Sequence, residues 1–233
     1  MTEKPGYIRP KDAATLIIID HHQGIPHVLM GRRHHRHAFM PGQYVFPGGR
    51  VDPTDSRVKI GRGYTPAVEA QLSRGPLAPA SAARRRAFAI AAIRETYEEA
   101  GVFVARKALL EPDAPAQSPG RGFEAFAQKG LELDLEPFRF IARATTPPGN
   151  VRRFDTRFLA TFADEIAATL PEGTGPSGEL EDLKWLKITA AMESDDVPNI
   201  TRHILRILQD RLLQDPNLNA DVEVPFCASR SSR

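Results

Sequence analysis

Residues 87–102 read AFAIAAIRETYEEAGV, and the reading of this stretch decides how the rest of the chain is arranged. Ala and Ile crowd its first half as in a packed helix, and Arg94, Glu95, Glu98, Glu99 and Gly101 follow in the order R-E-x-x-E-E-x-G. The helical period brings Glu95, Glu98 and Glu99, at i, i+3 and i+4, to one side. Like charges at these spacings weaken a helix by roughly a few tenths of a kcal/mol per pair, so the cluster asks for a purpose beyond solubility. A divalent cation supplies one, because hard ions such as Mg²⁺ take carboxylate oxygens and leave positions open for water or phosphate. Arg94 stands one turn before Glu98 and can orient it, while Gly101 suits a helix end with left-handed backbone. Taken on the three glutamates alone, a solvated acidic helix face is the competing explanation.

Upstream lies Val45-Phe46-Pro47-Gly48-Gly49-Arg50. The pairing of F-P-G-G with a later R-E-x-x-E-E-x-G resembles the Nudix hydrolase family, whose box reads G-x5-E-x7-R-E-U-x-E-E-x-G-U, with U a bulky apolar residue. The second half matches at Arg94, Glu95, Glu98, Glu99, Gly101 and Val102, with Thr96 in the first U position. Gly49 precedes Arg94 by 45 residues where the contiguous box has 14, so about 31 residues are inserted. Counting back from Arg94 puts Arg86 where the family has its first glutamate. The resemblance implies an α/β fold, an α/β/α sandwich around a mixed sheet, with Mg²⁺ or Mn²⁺ held by Glu95, Glu98, Glu99 and the carbonyl of Gly48. It further implies a glutamate ahead of a Trp-containing strand as ligand or general base, which nominates Glu179 and Glu181.

Length and composition bound the alternatives. A chain of 233 residues with 41% hydrophobic content fits one domain with additions, drawn here as 1–215 with an insertion at about 53–80 and a polar tail at 216–233. Thirty-one basic against 29 acidic residues leave a net charge of +2, which offers no global attraction to nucleic acid or to an anionic membrane. The single cysteine, Cys227, excludes an intrachain disulfide and a Cys-based metal site. No apolar run is long enough to cross a bilayer and the first residues lack a signal-peptide pattern, so a reducing cytoplasm is the expected compartment.

Along the chain, 13–19 reads as a strand, 20–24 as a turn and 28–33 as the returning strand. The basic run Arg32–His37 (RRHHRH) leads into a loop ending Phe39-Met40-Pro41-Gly42; contact with a phosphate through Arg32, Arg33 and Arg36 is better motivated than metal binding by its histidines. Phe46 joins them as a candidate substrate contact. Pro53–Ala80 reads as an irregular insertion with a short helix near 67–72, either a lid or a passive excursion. A long helix starts with the basic turn 81–86, and 112–121 reads as a Pro/Gly-rich link. In 154–162, Asp155 and Arg157 alternate with apolar residues, and Arg152, Arg153 and Arg157 read as solvated charges or ligand contacts. A final amphipathic helix, capped by Asn199 and striped by Ile200, Ile204, Leu205, Leu208 and Leu212, packs on the core, or else forms a homodimer contact.

The expected chemistry is hydrolysis of a diphosphate bond in a small nucleoside diphosphate derivative, with Glu95, Glu98, Glu99 and Arg94 as the catalytic set. Residues 28–49 also resemble the segment preceding the box in Nudix enzymes that cleave coenzyme A, matching at Arg33, Gly42 and Phe46–Gly49 but not at His34 and Ala38. The interrupted box is similar to the peroxisomal coenzyme A diphosphatase branch. That resemblance implies coenzyme A or acyl-coenzyme A as substrate; an ADP-ribose or dinucleotide diphosphatase, and a Nudix-like binding module without catalysis, are the alternatives.

Overall fold

A computed structural model describes residues 8–36, 40–75, 78–108, 120–150, 152–219 and 221–228. Phe39 of the basic loop, most of the 112–121 link and the last residues of the tail lie outside them. The chain opens with an antiparallel pair, β1 (Lys11–His22) and β2 (Ile25–Arg33). Gln23 and Gly24, with φ of 54° and 79°, form a two-residue turn whose twist matches that of the strands, so Asp20–His22 extend β1 rather than forming the turn. The short strands β3 (Tyr44–Val45) and β4 (Gly48–Arg50) then pair with β2 and β1.

A 3-10 turn at Asp55–Arg57 precedes α1 (Pro66–Leu72) and the long α2 (Ala82–Ala100). The Ser81 hydroxyl caps α2 by accepting from the Arg84 N–H, and Gly101 at φ 69° ends it, as expected. Next come β5 (Val102–Val104), β6 (Arg106–Lys107), α3 (Glu124–Gln128), β7 (Leu131–Glu132), β8 (Arg139–Thr145) and β9 (Phe154–Phe162). The chain continues through β10 (Ile166–Thr169), β11 (Leu180–Lys187), α4 (Ile188–Glu193), α5 (Asn199–Gln214) and β12 (Phe226–Ala228).

The main sheet runs β11-β2-β1-β9-β8-β12, with β1/β9 and β8/β12 parallel and the other neighbours antiparallel. Its two faces carry separate cores. Leu16 and Ile18 of β1 join Phe88, Ile90 and Ile93 of α2 on one side, while Ile17 and Ile19 join Ile204, Leu205 and Leu208 of α5 on the other. Burial on both faces explains why β1 is a continuous apolar run rather than an alternating one. The fold is therefore the expected mixed sheet between helical layers. No helix among the described residues is long and apolar enough to cross a membrane.

Four local expectations change. The stretch after Pro216 is not merely a polar tail: Leu218 is buried and β12 adds a strand beside β8. Helix α5 begins at Asn199 with Pro198 in the cap position, and Ile200 is exposed while Thr201 takes its place in the buried stripe. The insertion, read as irregular and as either a lid or a passive excursion, packs against the body of the fold. Val58, Val68 and Leu72 enter the core, the Tyr64 hydroxyl accepts the Ala89 N–H of α2 at 3.1 Å, and Glu69 meets Arg85 at 2.6 Å.

The fourth change concerns β9, whose second face meets α2 instead of solvent. Asp155 is buried and accepts from Nε and Nη2 of Arg143 at 2.8 and 2.7 Å, with Arg157 Nη1 at 3.1 Å. Arg157, fully buried, stacks 4.2 Å from the Phe88 ring and also reaches Asp12 at 3.4 Å. Arg153 is buried against the carbonyls of Ile8 and Thr146, and only Arg152 is exposed. Burial acts to raise the Asp155 pKa, but Arg143 and Arg157 outweigh it and hold the group below its ordinary value. Removing one member of such a buried network strands the others without a partner. Asp155→Ala is accordingly expected to cost about 3–5 kcal/mol of stability in urea unfolding; a loss below about 1 kcal/mol, typical of exposed pairs, would show that the network is solvated.

Candidate active site

The last two turns of α2 carry the acidic face, and Arg94 is its hub. A guanidinium offers five N–H donors in a rigid fork. Nε and Nη2 of Arg94 reach the two Asp55 oxygens at 3.1 and 3.3 Å, and Nη1 reaches Glu95 at 2.8 Å and Glu98 at 3.2 Å. Nη2 also donates to the Arg50 carbonyl at 3.1 Å. Burial works to lower the Arg94 pKa, yet Asp55, Glu95 and Glu98 hold it above its ordinary value, so the side chain stays charged.

Asp55 is a site residue that counting back from Arg94 missed. It is fully buried and also accepts the Asp52 N–H at 2.7 Å. Counting forward six positions from Gly49 lands on Asp55, the place of the box's first acid, whereas Arg86 lies partly exposed two turns before Arg94. The inserted residues thus fall between Asp55 and Arg94, and the expected boundary at 53 moves past Asp55. The signal was in the sequence, but only for a count begun from the glycine side.

Glu99 differs from its neighbours. Expected on the same exposed face, it is buried, and its Oε2 accepts the Gly48 N–H at 2.9 Å. Burial pushes its pKa up to about 8, opposed by Gly48 and Arg33. Glu95 is also raised, first by burial and then by Glu98 and Glu179, against the pull of Arg94. Gly49 presses on this carboxylate: a Cβ there would stand 2.5 Å from Glu95 Cδ. The glycine pair therefore provides close approach to the helix, with Gly48 contributing its N–H to Glu99.

The opposite wall comes from β2 and β11. Arg33 lies 3.9 Å from both Glu99 and Glu179, and the His34 N–H donates to the Glu179 carbonyl at 3.0 Å. The loop carrying Glu179 is anchored on the end of α2, where the Ser177 and Gly175 N–H groups donate to the carbonyls of Glu98 and Glu99 at 2.8 and 3.2 Å. At Gly175 a Cβ would sit 2.3 Å from the Glu98 carbonyl oxygen, so this anchor demands glycine.

Not every expected residue gathers here. Strand alternation sends Arg32 to the other face of the sheet, where it donates to the Gly42 carbonyl at 2.8 Å and to Asp196 at 3.1 Å and stacks 4.5 Å from the Tyr44 ring. Phe46 is buried in the α5-side core rather than at the acidic face. Arg36 is exposed in the loop after β2, and Glu181 lies opposite Arg32 in the β2–β11 register.

Glu95, Glu98, Glu99, Glu179 and Asp55 thus outnumber Arg94 and Arg33 at one surface. The donor set fits a hard cation: Glu95 and Glu99 are raised chiefly by burial, which Arg94 and Arg33 only partly oppose, and a cation would favour their charged forms. Among the described residues no three such groups are gathered into a ready coordination shell. A cation would compete with Arg94 for the oxygens of Glu95 and Glu98.

No protein-family model matches the chain. Among solved structures, a Nudix hydrolase from Alicyclobacillus acidocaldarius is 27% identical, covering 90% of this chain and 93% of its own, with a TM-score of 0.63. More distant matches are the Nudix domain of Shewanella oneidensis NrtR complexed with ADP-ribose, 12% identical with 91% and 99% coverage and a TM-score of 0.46, and a C. elegans Ap4A hydrolase, 16% identical with 88% and 98% coverage and a TM-score of 0.42. Only the first is near enough to weigh, and it supports a Nudix hydrolase enzyme on a Nudix-type fold.

The Glu99 environment has a pH signature. A carboxyl raised on folding favours the protonated native state, so its contribution to stability is complete below the unfolded value near 4.5 and falls as pH rises toward about 8. Ion-free protein is expected to lose melting temperature across that window. Glu99→Gln, which keeps an acceptor for Gly48, should flatten the loss; an unchanged slope would assign it to other groups.

Proposed function

We propose that this Nudix hydrolase uses Mg²⁺ or Mn²⁺ to cleave the diphosphate linkage of a nucleoside diphosphate derivative, acting as one catalytic unit. The observation that carries this reading is the convergence of Glu95, Glu98 and Glu99 with the Gly48–Gly49 backbone of β4 and Glu179, around an arginine clamped by Asp55. Glu95, Glu98, Glu99 and the Gly48 carbonyl would hold the ion, with Glu179 as a further ligand or base. When bound, the ion would offset phosphate charge and acidify an attacking water.

The protein's own groups have distinct parts. Arg94 fixes the rotamers of Glu95 and Glu98, and Asp55 keeps Arg94 in place. Glu98, the most accessible of the three glutamates, faces solvent and substrate. Arg33, between Glu99 and Glu179, presents a guanidinium suited to a phosphate oxygen. Glu99 and Glu179 are the two nearby carboxylates open to the role of proton acceptor.

Coenzyme A or acyl-coenzyme A is the favoured substrate, giving 3′,5′-ADP and (acyl-)phosphopantetheine. It is supported by the partial sequence signature before the box and by the cationic loop after β2, where Arg36 is exposed to meet a 3′-phosphate. Arg32, turned to the other face and engaged by Gly42, Asp196 and Tyr44, takes no part in it. ADP-ribose or a dinucleotide is the alternative, sharing the reaction without needing a 3′-phosphate contact.

Glu98→Gln is expected to lower kcat by about 100-fold or more, with melting temperature nearly unchanged because the side chain is part-exposed. Asp55→Asn should reduce activity by about 10–100-fold through loss of the Arg94 clamp. Near-normal turnover of both at saturating Mg²⁺ would show that the acidic face and its Arg94 clamp take no part in the reaction. For the substrate, kcat/KM is compared for coenzyme A, 3′-dephospho-coenzyme A and ADP-ribose with each metal. Coenzyme A should lead, and equal rates without the 3′-phosphate would overturn that choice.

A further inference from the structure

At the far edge of the sheet from β11, β12 covers only the second half of β8, pairing with Arg143–Thr145. Beside the uncovered half, between α1, β8 and α5, lies a cleft of about 370 Å³. Arg139 and Arg211 enter it from β8 and α5, Thr65 and Asn219 add polar groups, and Phe140 and Leu218 form an apolar wall. We propose that this cleft is a second ligand site, for a phosphorylated small molecule, separate from the acidic face of α2.

The charge balance carries the proposal. Elsewhere Arg85, Arg94 and Arg143, with little side-chain surface exposed, each meet a carboxylate. Among the described residues no carboxylate comes within 4.0 Å of Arg139 or Arg211. Both are held by neutral acceptors instead. Arg211 donates to the Phe140 carbonyl at 2.7 Å, and Arg139 donates to the carbonyls of Glu136 and Phe138 at 3.0 and 3.2 Å and to Asn219 Oδ1 at 2.7 Å. These bonds hold the side chains in place along the cleft wall and engage only part of each guanidinium's donor set. Burial keeps Arg211 below its ordinary pKa, Asp215 offsets part of this from longer range, and the nearby Arg139 deepens it.

Two cations from different elements match a phosphate dianion better than a single carboxylate, and an anion between them relieves their mutual repulsion. Asn219, its oxygen engaged by Arg139, keeps its amide protons to donate. Thr65, whose oxygen accepts the Val68 N–H at 3.4 Å, keeps its hydroxyl proton. The apolar wall suits a carbon body, and the volume lies at the lower end of small-molecule pockets, roughly 300–1,000 Å³. Because one wall is α1, a ligand here would bridge the insertion to the body of the fold.

The test is calorimetric titration of the full-length protein in EDTA with ribose 5-phosphate and, separately, succinate. Ribose 5-phosphate should bind saturably and succinate at least about ten-fold more weakly. Arg211→Gln and the cleft-filling Ala67→Phe, which removes no hydrogen bond, should each weaken binding about ten-fold or more, while Arg33→Gln on the acidic face leaves it within about two-fold. Hydrogen exchange on the wild type supplies a readout independent of the variants, with the ligand slowing the amides of α1. Absence of saturable binding, equal affinity for succinate, loss of binding in Arg33→Gln alone, or protection confined to the end of α2 would each overturn the proposal.

Discussion

The pairing of Arg94 with Asp55 is the constraint on which the acidic face depends. One guanidinium joins the turn after β4 to the helix and spends its fork on three carboxylates and one carbonyl. A lysine could not do this, because an ammonium has three donors and no planar fork. Thirty-eight residues separate the two partners along the chain. Lengthening a flexible loop from the box's seven residues to that number costs roughly 1–2 kcal/mol, since closure entropy rises only logarithmically. The insertion offsets this cost with its own packing, through Val58, Val68 and Leu72 in the core and Glu69 on Arg85.

Around that clamp the carboxylates are graded by environment. Glu98 is part-exposed and stays near water, Glu95 is pressed by Gly49, and Glu99 is buried and satisfied by the Gly48 N–H. A helix alone would have made the three nearly equivalent. Their difference comes from the backbone of β4 on one side and the Gly175–Ser177 loop on the other, which together exclude water from Glu99 but not from Glu98. In the proposed reaction such grading would suit one residue type to different parts within one small surface.

The sheet separates tasks in the same way. Arg33 and Arg32 are adjacent in sequence but lie on opposite faces, so one meets Glu99 and Glu179 while the other braces Tyr44 and Asp196. Further along, Arg143 and Arg157 share the carboxylate of Asp155, and Arg157 also reaches Asp12. At the remaining edge Arg139 and Arg211 have no carboxylate within ion-pair distance among the described residues. The arginines of this fold thus differ in their partners: Arg143 and Arg157 meet a carboxylate directly, whereas Arg139 and Arg211 are held by neutral oxygens, with Glu165 and Asp215 acting only at longer range.

Local patterns in the sequence were enough to determine the helix that bears the glutamates, its Gly101 end, the apolar run of β1 and the close backbone approach at Gly48–Gly49, although that pair lies in strand β4 rather than in a turn. Each rests on short-range physics: helical period, capping chemistry, burial of β-branched residues and glycine's lack of a side chain. Asp55 was legible too, as the sixth residue after Gly49, but a count from Arg94 across an insertion of unknown placement could not reach it. What only the tertiary structure decided was which charges meet. The burial of Glu99, the turning away of Arg32, the internal pairing of Arg157 and the recruitment of β12 from a polar-looking tail all depend on neighbours remote in sequence. Charge in a sequence carries no record of its partner, and in this chain the partner determines whether a charged residue binds, braces or is simply neutralised.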